Sequence, residues 1–319
     1  MKILDKALVA VIKSVIWFFR VIPYPCAISI GRGLAAIVYV FAPQERRTAK
    51  IQMKAALGDG FKPEMIKKVF FNHADVFVDA IRYAYMDDEE IKKRIIITGI
   101  ENLKAAKASG RGLMMICSHA GNWEIMGNVA RILQMEFCVM ADLRDNSDIE
   151  RLINNLRRKT GVTILPPTGK LLMLVRELKR GRAIAFIIDK RGEKGTDLYC
   201  NFFGMPALTN PAPAFIAIKG DALIVPYYSI REGHSHKIAI CPAVDTRTFS
   251  GDAIQSISDY MHGWTEEVIR KKPERWTWTY SRWIRRSEMK EVIKNGLDFK
   301  EFVISKAVKE TKSQGHEEN

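Results

Sequence analysis

Between positions 118 and 124 the chain reads Ser118-His119-Ala120-Gly121-Asn122-Trp123-Glu124, placing an imidazole, a glycine and a carboxylate within one short turn. An imidazole can accept a proton near neutral pH. A carboxylate bonded to its other nitrogen fixes the tautomer and supports the imidazolium that forms. On a regular helix His119 and Glu124 would stand about 140° apart. They meet only if His119 lies in the turn and the chain folds back over the first helical residues, a path that Gly121 eases. On this reading His119 is a general base and Glu124 its orienter, with backbone N–H groups at the helix start available to an oxyanion or phosphate. The competing reading makes His119 a satisfied buried histidine and Glu124 a first-turn acid that suits the helix dipole. Spacing alone leaves both open. Ser118 is a poor nucleophile candidate, because adjacent strand side chains point to opposite faces and no G-x-S-x-G elbow surrounds it.

The elements that carry this turn follow from periodicity. Short apolar runs at 113–117, 137–140, 162–165, 183–188 and 222–225 predict strands, with helices expected between them at 123–134, 147–159, 169–180 and 211–219 and a last long one at 252–271. Strands separated by helices indicate an α/β fold, a mainly parallel or mixed sheet flanked by helices. Sites in such sheets gather beyond the carboxyl ends of the strands. Residues 64–85 show helical spacing, and Asp-Asp-Glu-Glu at 87–90 reads as a helix start. The expected organisation is a membrane-associated helical segment at 1–44, an α/β domain at 45–290 and a helical or disordered tail at 291–319, disordered from about Lys306.

The chain has 319 residues, 47% hydrophobic and 27% charged, which excludes a wholly disordered or collagen-like polypeptide. Its formal charge of +14 is concentrated: residues 1–54 hold nine basic against two acidic groups, and residues 270–286 hold seven against one. Such concentration marks a docking surface for something anionic. In the first segment Lys6, Lys13 and Arg20 recur every seven residues and form one stripe on a helix otherwise apolar, with Trp17, Phe18 and Phe19 on the greasy side. That is the pattern of an interfacial helix on an anionic membrane, or of an amphipathic helix in the protein's own core. In the second, Trp276, Trp278, Trp283, Arg282, Arg285 and Arg286 mix aromatics with cations. A nucleic-acid platform and an interfacial anchor share this composition, and the N-terminal helix favours the membrane and no nucleic acid, although Trp276 or Trp278 taken singly suits a core edge equally well. Five scattered cysteines without a C-x-x-C pair indicate neither disulfides nor a zinc site. His234 and His236, in hairpin-like alternation, read as turn residues rather than metal ligands.

The stretch Gly112-Leu-Met-Met-Ile-Cys-Ser-His-Ala-Gly-Asn-Trp-Glu-Ile-Met-Gly127 closely resembles the H-x-G-N-W-E block of the bacterial lipid A late acyltransferases, the lauroyl and myristoyl acyltransferase family, within the wider H-x4-D/E acyltransferase group. Arg144-Asp-Asn146, Asp189-Lys190-Arg191-Gly192, Asn201-Phe-Phe-Gly-Met-Pro-Ala-Leu-Thr209 and Pro273-Glu-Arg-Trp-Thr-Trp278 with Arg282 resemble further blocks, so the likeness covers roughly residues 5–286. Lys190, where the family usually has Gln, and Pro211 and Pro213 depart from the pattern. The resemblance implies acyl transfer from an acyl carrier protein thioester to a hydroxyl of a lipid A precursor, a Kdo2-lipid IVA-like glycolipid, at the cytoplasmic face of the inner membrane; another membrane acceptor (a lysophospholipid, a phosphatidylinositol mannoside or an amino-acid lipid), a thioesterase or lipase, and a non-catalytic lipid-binding protein are the alternatives. His119 and Glu124 would be the catalytic pair. Gly121, Asn122, Arg144, Asp189, Arg191, Phe203 and Gly204 would lie against substrate, and Arg144 and Arg191 suit phosphate because guanidinium matches its oxygens. A thioester is already activated, so neither metal nor cofactor is expected.

Overall fold

The computed structural model describes residues 3–140, 148–165, 171–193 and 197–314. An N-terminal layer comprises α1 (Ile3–Val21), α2 (Tyr24–Phe41), α3 (Pro43–Leu57) and α4 (Glu64–Tyr85). Pro23 and Pro25 separate the first two helices and Pro43 opens the third, positions where the missing N–H costs nothing. Then follow α5 (Asp88–Arg94), capped by the Asp87 side chain on the Glu90 N–H, β1 (Ile95–Thr98), α6 (Ile100–Ala108) and β2 (Leu113–Cys117). After a 3-10 turn at Glu124–Gly127 come α7 (Asn128–Leu133), β3 (Phe137–Met140), α8 (Asp148–Lys159), β4 (Val162–Leu165), α9 (Leu171–Lys179) and β5 (Ala183–Ile187). The chain continues through the hairpin β6 (Leu198–Phe202) and β7 (Met205–Thr209), α10 (Ala212–Lys219), β8 (Leu223–Glu232), β9 (Ser235–Ile240), β10 (Val244–Asp245), α11 (Ala253–Lys271), α12 (Arg286–Asn295) and α13 (Phe299–Gln314).

The main sheet runs β1-β9-β8-β2-β5-β3-β4, with β10 beside β8. Pairings among β2, β3, β4, β5 and the start of β8 are parallel, as is β1 with β9. Among the described residues of this sheet, β8 pairs antiparallel with β9 and with β10. The expected α/β class and central strands are therefore present. All five residues of β2 are buried, as expected of a central parallel strand covered on both faces, which is why Leu113–Cys117 reads as an unbroken apolar run.

Three expectations are corrected. The aromatic part of the aromatic-basic segment is interior and does not present a surface anchor: Trp276, Trp278, Trp283 and Arg282 are at most 3% exposed, while Arg285 and Arg286 remain on the surface. Trp276 and Trp278 meet edge-on at 4.6 Å, and Phe202 of the hairpin packs on Trp276 and Trp283. Burying one indole withdraws roughly 200 Å² from water, worth up to about 5 kcal/mol, more than an interfacial position returns. Second, the tail is helical through Gln314, with Phe299 and Val303 buried against the same aromatic cluster. Third, His236 is 1% exposed within β9 rather than in a solvated turn.

On α1, Lys13, Trp17 and Arg20 are exposed, the Arg20 guanidinium lying 4.4 Å from the Tyr85 ring centre; the Lys6 side chain falls outside the described residues. Trp17 and Phe18 face outward as expected, but Phe19 turns inward to Phe77. On α2, Ile30, Leu34, Ile37, Val38, Val40 and Phe41 are all exposed, and among the described residues this helix is long and apolar enough to cross a membrane.

Candidate active site

The parallel register aligns Cys117 of β2 with Ile187 of β5, and the Ile188 N–H donates to the Cys117 carbonyl at 3.1 Å. Two residues beyond each strand end stand His119 and Asp189, so sheet register alone brings them opposite one another. His119 Nδ1 lies 2.7 Å from Asp189 Oδ1, and the His119 backbone N–H donates to Oδ2 at 2.8 Å. Trp276 Nε1–H donates to the same Oδ2 at 2.6 Å. Asp189 is 2% exposed. Burial alone would raise its carboxyl, but the His119 imidazole and the hydrogen bonds from His119 and Trp276 outweigh this and hold it down at about 2. An ionised Asp189 makes Nδ1 the protonated nitrogen and leaves Nε2 as an acceptor.

This replaces the expected His119–Glu124 bond. Glu124 begins the 3-10 turn and accepts from Arg157 Nε at 2.9 Å and from Arg157 Nη2 at 2.5 Å, with Trp123 Nε1 at 3.2 Å. The chain does not fold back: Gly121, at φ +72°, turns it forward against β8, where a Cβ would stand 2.2 Å from the Ser229 carbonyl oxygen. The Gly121 N–H donates to the Arg275 carbonyl at 3.0 Å, and Ala120 bridges Trp276, so the segment after Pro273 braces the turn.

His119 and Glu124 nevertheless line one cavity of about 410 Å³. Its polar side holds these two with Arg157 and Lys190, and Cys117, Phe137, Val139, Val162, Ala185 and Ile187 give it an apolar side. Burial pushes the Cys117 thiol far above its ordinary value, so it offers no thiolate to compete with His119.

The other expected contacts divide. Gly121 shapes the turn through its backbone. Asn122 is 4% exposed and turns away from the cavity, donating to Asp79 Oδ2 at 3.0 Å and capping the 3-10 turn by accepting from the Glu124 and Ile125 N–H groups. Phe203 and Gly204, at φ +53° and +71°, form the two-residue β6–β7 turn, and Phe203 is buried against Trp278 and Trp283, so neither faces the cavity. Arg191 is half-buried two residues beyond Asp189, outside the cavity lining. Arg144 lies outside the described residues. Sequence reasoning missed Asp189 as the histidine's partner, Trp276 as its donor and Arg157 as the partner of Glu124. The strand-end rule pointed to Asp189, but only the register supplies its mate.

The fold and this site define a class: an α/β protein with a carboxylate-held histidine at the edge of a cavity that is polar on one side and apolar on the other, an arrangement suited to proton transfer on a substrate with both kinds of surface. A family profile described as "Bacterial lipid A biosynthesis acyltransferase" matches residues 1–285, and the chain belongs to that family. It is an acyltransferase. Among its relatives, a lipid A biosynthesis palmitoleoyltransferase from Escherichia coli is 24% identical over 84% of this chain and 88% of its own length. A phosphatidylinositol mannoside acyltransferase from Mycobacterium tuberculosis is 25% identical over 65% of this chain and 66% of its own. The 1-acyl-sn-glycerophosphate acyltransferase PlsC of Thermotoga maritima gives a TM-score of 0.38 at 14% identity, covering 76% of this chain and 97% of that one, a likeness that adds nothing to the topology above.

Proposed function

We propose that this enzyme moves an acyl chain from an acyl carrier protein thioester to a hydroxyl of a Kdo2-lipid IVA-like glycolipid by direct attack. The observation that carries the reading is the His119–Asp189 pair at the edge of a cavity with one polar and one apolar side. His119 Nε2 takes the proton of the acceptor hydroxyl as its oxygen bonds to the thioester carbonyl carbon. The tetrahedral adduct then expels the pantetheine thiolate, which regains that proton from the imidazolium. Asp189 keeps Nδ1–H in place and stabilises the transient cation without itself accepting the proton. Glu124, fixed by Arg157, faces the same cavity and accepts hydrogen bonds from the acceptor's hydroxyls; Lys190, which also lines it, meets one of its phosphates. The acyl chain occupies the apolar side.

The apolar face of α2 and the exposed Trp17, Lys13 and Arg20 of α1 seat the enzyme on the cytoplasmic face of the inner membrane, where acceptor and carrier protein meet. Trp at headgroup depth and cations beside anionic lipid support that placement. The mannoside acyltransferase relatives favour a second acceptor class, a phosphatidylinositol mannoside, with the same chemistry. Mass spectrometry after incubating the enzyme with C10–C18 acyl carrier proteins and each acceptor in parallel separates the two. Acylated Kdo2-lipid IVA supports the first reading; acylation of the mannoside alone replaces the acceptor, and free fatty acid with every acceptor refutes acyl transfer.

A further inference from the structure

Beside the catalytic turn, the α4 residue Asp79 is 0% exposed and accepts four side-chain hydrogen bonds. Its Oδ1 takes one from Tyr24 Oη at 2.5 Å. Its Oδ2 takes those of Asn122 Nδ2 at 3.0 Å, Arg231 Nη1 at 2.6 Å and His236 Nε2 at 2.8 Å. These donors come from α2, the catalytic turn, β8 and β9, and none of them lines the large cavity. The His236 Nδ1 is buried without a partner, so Nε2 carries the hydrogen directed at Asp79. Burial would raise the Asp79 carboxyl, but hydrogen bonds from His236 and Tyr24 and the Arg231 charge hold it below the ordinary range.

Asn122 is the link to chemistry. Its side-chain oxygen accepts from the Glu124 and Ile125 N–H groups, and its backbone N–H donates to Ser229 Oγ at 2.7 Å. It stands three residues after His119 and two before Glu124. Tyr24 is the first residue of α2, the helix with the exposed apolar face. An unbroken path of hydrogen bonds thus runs from α2 through Asp79 and Asn122 to the turn that carries both cavity-facing groups.

We propose that Asp79 is a positioning residue for acyl transfer, holding Asn122 so that the geometry of the His119–Glu124 turn depends on α2 being seated against α4. The kinetic part of this proposal rests on His119 being the base; the positional part does not. No neutral side chain replaces Asp79 without loss. In Asp79→Asn the amide oxygen can face the three donors now on Oδ2 while its NH2 turns to Tyr24 Oη, but Arg231 is then left with only the more distant Asp75 carboxylate, 4.0 Å away, and the pull on Asn122 weakens. Tyr24→Phe leaves the Asp79 charge in place and removes the hydroxyl of α2, with its bond to Asp79 and the one it accepts from Arg231 Nη2 at 3.0 Å.

The test measures two things on the full-length enzyme: steady-state acyl transfer, and the rate at which diethyl pyrocarbonate modifies His119, followed by peptide mass spectrometry without any substrate. Asp79→Asn should lower kcat about tenfold with donor KM within about twofold, and Tyr24→Phe should lower it about threefold. Both should raise the His119 modification rate at least about threefold, as the turn loosens from Asp189. Ile257→Val in α11, an independent core change, should move neither. Wild-type kcat and an unchanged His119 modification profile in both variants would overturn the proposal. If Asp79→Asn fails to fold, Tyr24→Phe decides alone by the same two readouts. Altered His119 reactivity in an enzyme that acylates no acceptor would uphold the positioning and refute the acyl-transfer reading instead.

Discussion

Replacing Asp189 by asparagine changes one oxygen to an NH2 group, and the structure dictates where that group must go. Oδ2 receives two hydrogens, from the His119 backbone N–H at 2.8 Å and from Trp276 Nε1–H at 2.6 Å, so the amide must keep its oxygen there. The NH2 then faces His119 Nδ1, 2.7 Å from the present Oδ1, and donates to it. The imidazole must respond by carrying its own proton on Nε2, which leaves no lone pair toward the acceptor hydroxyl. The fold is preserved and the base is lost. In a serine protease triad the same Asp→Asn exchange lowers kcat by about 10⁴, and a fall of about 10² to 10⁴ is expected here at pH 7. Steady-state transfer from acyl carrier protein gives kcat, and ¹⁵N NMR of the labelled imidazole gives the tautomer. A variant with Nε2–H and a kcat within about threefold of wild type would refute the assignment of His119 Nε2 as base.

The same carboxylate links stability to pH. Its folded value of about 2 lies below the unfolded one, so its contribution is fully present above pH 4 and is lost as pH falls from about 4 toward 2. Relative to Asp189→Asn, wild type should be favoured by roughly 2 kcal/mol at pH 7, narrowing below pH 4 in urea titrations. A constant gap down to pH 2.5 would contradict this. Trp276→Phe keeps most of the ring packing but removes a donor to a buried anion. A loss of about 2 kcal/mol in thermal unfolding and a lower kcat are expected, whereas unchanged stability would deny the Asp189 contact. Gly121→Ala drives a Cβ to 2.2 Å from the Ser229 oxygen at a φ that alanine resists. Activity should fall at least about tenfold with a stability cost of about 1–3 kcal/mol, checked by kcat and Tm together. Leu34→Glu with Ile37→Glu on α2 should reduce sedimentation with anionic phospholipid vesicles while leaving Tm within a few degrees, since both side chains are more than half exposed.

The central strands, α4, α8, α9 and α11 were legible because their apolar spacing is strong and each buries one or both faces. Strands β1, β6, β7 and β9 were not. Ile95–Thr98 follows a helix with no turn signal between, and the Phe203-Gly204 turn has a phenylalanine at positive φ where asparagine or aspartate would announce a hairpin. His119 was legible from its place after β2, and Asp189 from its place after β5. Their partnership was not, because it depends on which parallel strands are neighbours, and the chain order of β2 and β5 does not reveal that they adjoin. The aromatic-basic segment misled for a different reason. Tryptophans beside arginines have the same composition at a membrane interface and in a core where the terminal nitrogens of Arg282 bond the Leu208 carbonyl, Thr209 and a His262 kept neutral by burial.

In the proposed mechanism His119 removes the acceptor proton while Asp189 holds the imidazole. A single-turnover experiment with His119→Ala, loaded with acyl carrier protein thioester and Kdo2-lipid IVA and read by product mass, tests it most directly. The variant should bind the donor as wild type does and form no acylated glycolipid above background. Product formation within about tenfold of the wild-type rate would contradict it.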